Sequence, residues 1–217
     1  MYTIKKAKQL VNLSASFAEG AWKDAENLPI AIVRPESSAH HPIVNARMLY
    51  DDKGIYLRFE VQDRYVVARK TNYQDGVCAD SCVEFFVQPK GRKDYYNFEM
   101  NAIGTVLLYN VKDPTRTDHG FADYVKVPAE QVQGMSLATS LHGVIDPEIT
   151  EPVDWSLATF IPFSVFELDA NPVSGEVWRA NLYKCADKSS HNHWISAFPL
   201  TVLNYHLPEC FREIAFE

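Results

Sequence analysis

The sequence predicts an all-β protein, an antiparallel two-sheet β-sandwich of the immunoglobulin-like or jelly-roll type with long rim loops. Three observations lead there. Apolar and polar residues alternate with period 2 in short runs bounded by Gly, Pro, Asn and Asp. No window holds the i, i+3, i+4, i+7 apolar spacing over three helical turns. The chain has 217 residues, 47% of them hydrophobic, enough for one large sandwich around one core. A single domain over 1–217 is expected, with no internal repeat, low-complexity tract or linker.

The elements follow in order. Trp22 opens a helical or turn-like stretch that anchors the N-terminal segment. Segments 44–50 and 55–63 flank Asp51-Asp52-Lys53-Gly54 and read as a hairpin, with Ile55, Leu57, Phe59 and Val61 on one face and Gly54 supplying a positive φ for the turn. Segments 81–89, 95–102 and 105–111, rich in Val, Tyr and Phe, read as three adjacent strands turning at Ile103-Gly104. Further strands are expected over 135–143, 155–163, 176–185, 193–200 and 211–217, separated by Pro and Gly. Pro162 can start one helical turn through Phe166. Stretches 113–121 and 186–193 read as polar rim loops, where sandwiches commonly meet ligands.

Charge narrows the partners. A net charge of -7 disfavours nucleic acid, whose binders need clustered Lys and Arg. Lys5, Lys6 and Lys8 form the only basic cluster and read as a solvated end. No run approaches the roughly 20 apolar residues of a membrane-spanning helix. The opening residues lack the apolar core of a secretory signal. The expectation is a soluble protein, cytoplasmic as the sequence stands, periplasmic or extracellular if a leader has been removed; oligomeric state is left open. Cys78, Cys82, Cys185 and Cys210 read as free thiols, and no CxxC pair suggests zinc.

Alternation also places polar side chains. Glu84, Glu99 and Asn101 fall on one sheet face; Arg179, Asn181 and Tyr183 share a face of their strand, as do Asn45 and Arg47 of theirs. Were these strands neighbours, two carboxylates, two guanidiniums and several amides would converge, a set suited to vicinal hydroxyls. The competing reading is a cross-strand ion-pair network. A glycosidase pair would need two carboxyls about 5–9.5 Å apart across a cleft. Asp63, Asp75, Asp80 and Asp118 read as turn residues or calcium ligands. His40, His41, His191 and His193 read as solvated loop residues. Trp155 and Trp178 belong in the core, whereas Trp194, Tyr205 and Tyr73 are the candidates for stacking on a ring. No nucleophile elbow, P-loop or dinucleotide fingerprint occurs.

FAEGAWKDAENLPI, NARMLYDDKGIYLRFEVQD, ADSCVEFFVQP, NFEMNAIGT, WRANLYKC and LPECFREIAF, in that order, resemble the family 9 carbohydrate-binding modules and their single-domain relatives over nearly the whole chain. The resemblance implies a sandwich that binds glucan or xylan ends without cleaving them, carries structural calcium, and serves polysaccharide catabolism beside a glycoside hydrolase. It places Glu84 on the family's sugar-binding glutamate and Tyr205 on one aromatic of a two-sided clamp. It also places Cys78 where the other clamp tryptophan stands and Glu99 where a binding arginine stands, with Tyr73 near enough to replace the missing platform. The readings set beside non-catalytic sugar binding are a haem or small-ligand sandwich of the same superfamily, ligated through Met and His, a glycoside-acting enzyme, and a structural interaction module.

Overall fold

A computed structural model describes all residues, 1–217. Its sixteen strands are β1 (Tyr2–Lys6), β2 (Asn27–Ile30), β3 (Ile32–Val33), β4 (Ile43–Tyr50), β5 (Gly54–Asp63), β6 (Val66–Ala68), β7 (Cys82–Gln88), β8 (Tyr95–Asn101), β9 (Val106–Thr117), β10 (Gly120–Lys126), β11 (Ser136–Thr139), β12 (Ile145–Ile149), β13 (Val153–Pro162), β14 (Val177–Cys185), β15 (Trp194–Ser196) and β16 (Arg212–Phe216). The only helical elements are four short 3-10 turns, among them Gly20–Asp24 around Trp22 and Phe163–Phe166 after Pro162, both where expected.

Two sheets form the sandwich. Sheet A runs β10-β9-β8-β7-β14-β16-β1, with β15 paired to the far end of β14. Sheet B runs β1-β4-β5-β13-β11, with β2 on β4. Strand β1 makes the corner: Tyr2 to Ile4 pair with β16, then Lys5 and Lys6 pair with β4, in both cases parallel. These are the exceptions to the antiparallel expectation. The predicted hairpin is β4–β5, but Gly54 does not carry a positive φ. Asp51 closes the turn by accepting from the amides of Lys53 and Gly54. Gly54 is needed for closeness instead: a Cβ there would stand 2.3 Å from the Ile161 carbonyl and 2.7 Å from the Phe160 ring. Gly54→Ala is expected to destabilise by about 2–3 kcal/mol through overpacking against backbone, read as a lower urea midpoint at unchanged slope.

Stretch 113–121, expected as a loop, extends β9 into a hairpin with β10. Its polar residues hide the strand because both faces of this outer hairpin meet solvent, so no apolar alternation marks it.

Inward faces alternate as the sequence indicates. Val83, Phe85 and Val87 of β7, Phe98 and Met100 of β8, and Trp178, Ala180 and Leu182 of β14 meet Leu57 and Phe59 of β5 and Trp155 and Leu157 of β13. Burying each large side chain contributes roughly 1.5–3 kcal/mol. The outer faces are also covered. Residues 7–25 lie over sheet B, with Trp22 fully buried and its indole N–H donating to Asn12 O. The segment between β15 and β16 lies over sheet A, where Tyr205 and Phe211 pack on Phe86, Tyr95 and Tyr183.

One inward position is charged. Lys184 continues the Trp178-Ala180-Leu182 face and is fully buried. Its Nζ lies 3.4 Å from Asp63 of β5, donates to Cys185 O at 3.0 Å and to His193 Nε2 at 2.7 Å. An ammonium only donates, so His193 is neutral at Nε2 and its Nδ1–H donates to His191 O. Burial, then the Lys184 charge, lowers the His193 pKa to about 3. Asp63 also accepts from Trp155 Nε1 and the Arg64 amide and pairs with His40. Burial pushes Asp63 upward, but Lys184, His40 and that amide outweigh it and hold it well below the carboxylate range. His193 is therefore no solvated loop residue, and His191 stacks on Tyr65 at 3.6 Å. The contact across the two sheets, invisible to local pattern, explains the difference.

Candidate functional site

Strands β14, β7 and β8 lie side by side, so Tyr183, Glu84 and Glu99 form one cross-strand row on the outer face of sheet A. Cys185 and Cys82 form the next row toward the rim. Above this floor a cavity of about 210 Å³ is lined by Cys78, Glu84, Glu99, Arg116, Cys185, Asp187, Trp194, Leu203, Asn204, Tyr205 and His206. Its walls come from the loop before β7, the β9–β10 hairpin, the loop after β14, and the segment covering sheet A.

The floor is polar and buried. Glu84 Oε1 accepts from the Cys185 thiol at 3.0 Å, and Glu99 Oε1 accepts from Asn97 Nδ2 at 2.8 Å. Glu99 Oε2 is buried with no hydrogen-bond partner. Burial raises the Glu99 pKa to about 7. Burial, reinforced by the facing Glu99 charge, pushes Glu84 well above the carboxylate range. Burial raises Asp187 as well and drives the Cys78 thiol up. His206, buried beside the Tyr95 hydroxyl, is lowered to about 3 by burial and then by the Arg116 charge. Trp194 stands half-buried at the rim, its indole N–H pinned to Asp187 Oδ1 at 2.8 Å.

Of the residues singled out in the sequence, Cys78, Glu84, Glu99, Trp194 and Tyr205 meet at this cavity. Tyr183 lies beneath it, stacked on Tyr205 with centroids 3.9 Å apart and planes 8° apart. The Tyr205 hydroxyl accepts from the Ile195 amide and donates to Lys184 O, so one ring face and the polar tip of Tyr205 serve the fold. The remaining candidates are elsewhere. Arg47 sits on sheet B and donates to Phe17 O and Trp22 O, holding the N-terminal segment. Arg179 donates to Pro208 O and Phe211 O, and Asn181 bonds Phe198 and the Leu182 amide. Asn101 donates to Asp80 and Lys70 O. Tyr73 packs on the core and donates to Val127 O, so it replaces no platform. Their backbone partners arrive from distant segments, which is why face assignment alone put them in the site. Arg116, Asp187, Cys185, Asn204 and His206 were missed; the only sequence signal was that Arg116 and Asp187 lie in the two polar stretches expected at the rim.

Three of the four carboxylates expected as calcium ligands are engaged by the protein's own donors. Calcium takes six to eight oxygens at about 2.3–2.6 Å. Asp80 Oδ2 is occupied by the amides of Arg69 and Lys70 and by Asn101 Nδ2. Asp75 is occupied by Thr71 and Asn72, and both oxygens of Asp63 are taken as described. Met100 and His206 lie on opposite sides of sheet A and cannot jointly ligate a haem.

Residues 21–216 match the model of carbohydrate-binding family 9. The chain belongs to that family. Its fold is shared along its length with a crystal structure from Bacteroides uniformis of a protein proposed to bind carbohydrate: 25% identity, TM-score 0.83, covering 100% of this chain and 99% of that one. Two structures of a family 9 module from Caldicellulosiruptor kristjanssonii also align. The glucose complex is 14% identical with TM-score 0.65, covering 99% of this chain and 94% of that one. The cellotriose complex is 16% identical with TM-score 0.64, covering 100% and 93%. No curated protein matches the chain. For this family 9 chain the all-β sandwich read from the sequence stands.

Proposed function

We propose that the cavity on β7, β8 and β14 is a non-catalytic binding site for a sugar residue of an oligosaccharide. The observation that carries this reading is a half-buried indole, Trp194, held by Asp187 beside a floor of Glu84 and Glu99. An aromatic face gives a pyranose ring a stacking surface, and buried carboxyls bond its hydroxyls in pairs. Family membership and the glucose and cellotriose complexes of the Caldicellulosiruptor module support the same class of ligand.

Binding without turnover fits the carboxyls. Glycoside hydrolysis pairs a protonated acid with an ionised carboxylate across a scissile bond. Here Glu84 and Glu99 are adjacent on one sheet face, and burial pushes both toward the neutral form. Calorimetry against gluco-, xylo- and amino-oligosaccharides tests the reading. Trp194→Ala is expected to weaken binding by about 2 kcal/mol, roughly thirtyfold. Silence across the panel, or release of reducing ends, would overturn it.

A further inference from the structure

Three carboxyl groups, Glu84, Glu99 and Asp187, line the cavity against one guanidinium, Arg116. The remaining titratable groups there do not offset them. The Cys78 and Cys185 thiols are pushed up and stay neutral, and His206 is held neutral at ordinary pH. Arg116 sits over the Phe121 ring, 4.3 Å from its centroid, at the exposed hairpin. None of the ion pairs in the structure involves Glu84, Glu99 or Asp187. Lys184 faces the other side of the sheet and Lys188 follows Asp187 in the loop; their charges favour ionised Glu84 and Asp187 without pairing with either.

Two buried acids facing each other across neighbouring strands, one with an unpartnered oxygen, are costly for the empty protein. A neutral sugar can donate hydroxyls to that oxygen but leaves the charge cost in place, because at least one acid must keep its proton. A primary ammonium removes it: three N–H donors and no acceptor match acceptor carboxylates, and charge-assisted bonds are the stronger kind. Resting on the reading of this cavity as a sugar site, we propose that its preferred ligand is a cationic amino sugar, a hexosamine residue whose free ammonium is held by Glu84, Glu99 and Asp187. The sugar ring lies against Trp194, and Asn204 and Arg116 are left to meet hydroxyls. Binding then ionises the acid pair and passes a proton to the buffer, whereas a neutral sugar releases none.

The test compares chitobiose with both amines free, its di-N-acetylated form and cellobiose by calorimetry on the whole protein. The titrations are run near pH 7 in about 0.15 M salt, which screens the overall negative charge beyond about 8 Å. The free amine is expected to bind about tenfold or more tighter than either neutral disaccharide, with a heat that varies with the buffer's ionisation enthalpy. Glu99→Gln and, separately, Asp187→Asn are expected to collapse the preference to below about threefold, read as the ratio of amine to cellobiose affinity within each variant. Cellobiose binding as tightly as the amine would overturn the proposal and leave the sugar site standing. No binding by any of the three would overturn both. A preference unchanged in the two variants would assign it to diffuse charge and overturn the proposal.

Discussion

Lys184→Met is expected to lower stability by about 3–5 kcal/mol, because it strands the Asp63 carboxylate in the core. Both side chains are fully shielded from solvent, and the pair joins sheet A to sheet B where the inward faces would otherwise be apolar. Methionine fills similar volume, so the loss comes from the uncompensated charge and from the unanswered acceptors of His193 Nε2 and Cys185 O. Adding Asp63→Asn removes the stranded charge, and the double variant is expected to recover more than half of the loss. Urea unfolding of wild type, both singles and the double closes the cycle. A single variant within about 0.5 kcal/mol of wild type would show that the pair contributes nothing net.

Glu99→Gln is expected to act in the opposite direction, stabilising the protein above pH 7 by on the order of 2–3 kcal/mol. Burial raises the Glu99 pKa in the folded chain to about 7, so the folded state holds its proton where the unfolded chain has released it. The stability this supplies is complete below the unfolded carboxylate pKa and is lost as pH rises through about 7. Glutamine keeps an acceptor for Asn97 Nδ2 and never ionises, so the variant does not show that decline. His193 and His206 work the other way in both proteins. Their folded pKa values near 3 mean that stability present above about 6.5 falls as pH drops toward 3. The difference between variant and wild type, followed by chemical denaturation from pH 4 to 9, isolates Glu99. A flat difference across that range would rule out a raised pKa at this position.

Strand positions and inward faces were legible because period-2 alternation is local: Phe85, Phe98, Leu57 and Trp178 announce their side of the sheet without reference to any partner. The hairpin at Asp51–Gly54 and the turn after Pro162 were legible for the same reason, although Gly54 serves a close approach rather than a positive φ. The family resemblance rests on the same strands and holds over residues 21–216.

Half of the site was within reach of such reasoning. Glu84 and Glu99 face the same way on strands that proved adjacent, so the floor followed from alternation plus pairing. What alternation cannot supply is which outward residues stay free. Arg179 and Asn181 face outward as expected, but the segment between β15 and β16 folds over them and takes their hydrogen bonds. Arg47 is claimed in the same way by the N-terminal segment.

By itself, then, the sequence determined a sandwich, its core faces, the outward acids and the family. The tertiary structure alone decided that Lys184 lies buried against Asp63, that Tyr205 spends one ring face on Tyr183, and that Trp194, Asp187 and Arg116 close a cavity over the acid pair. The physical reason is range. Periodicity reports how a residue sits on its own strand, whereas burial of a charge, competition for a hydrogen bond and the walls of a cavity depend on segments brought together only when both sheets and their covering loops are in place.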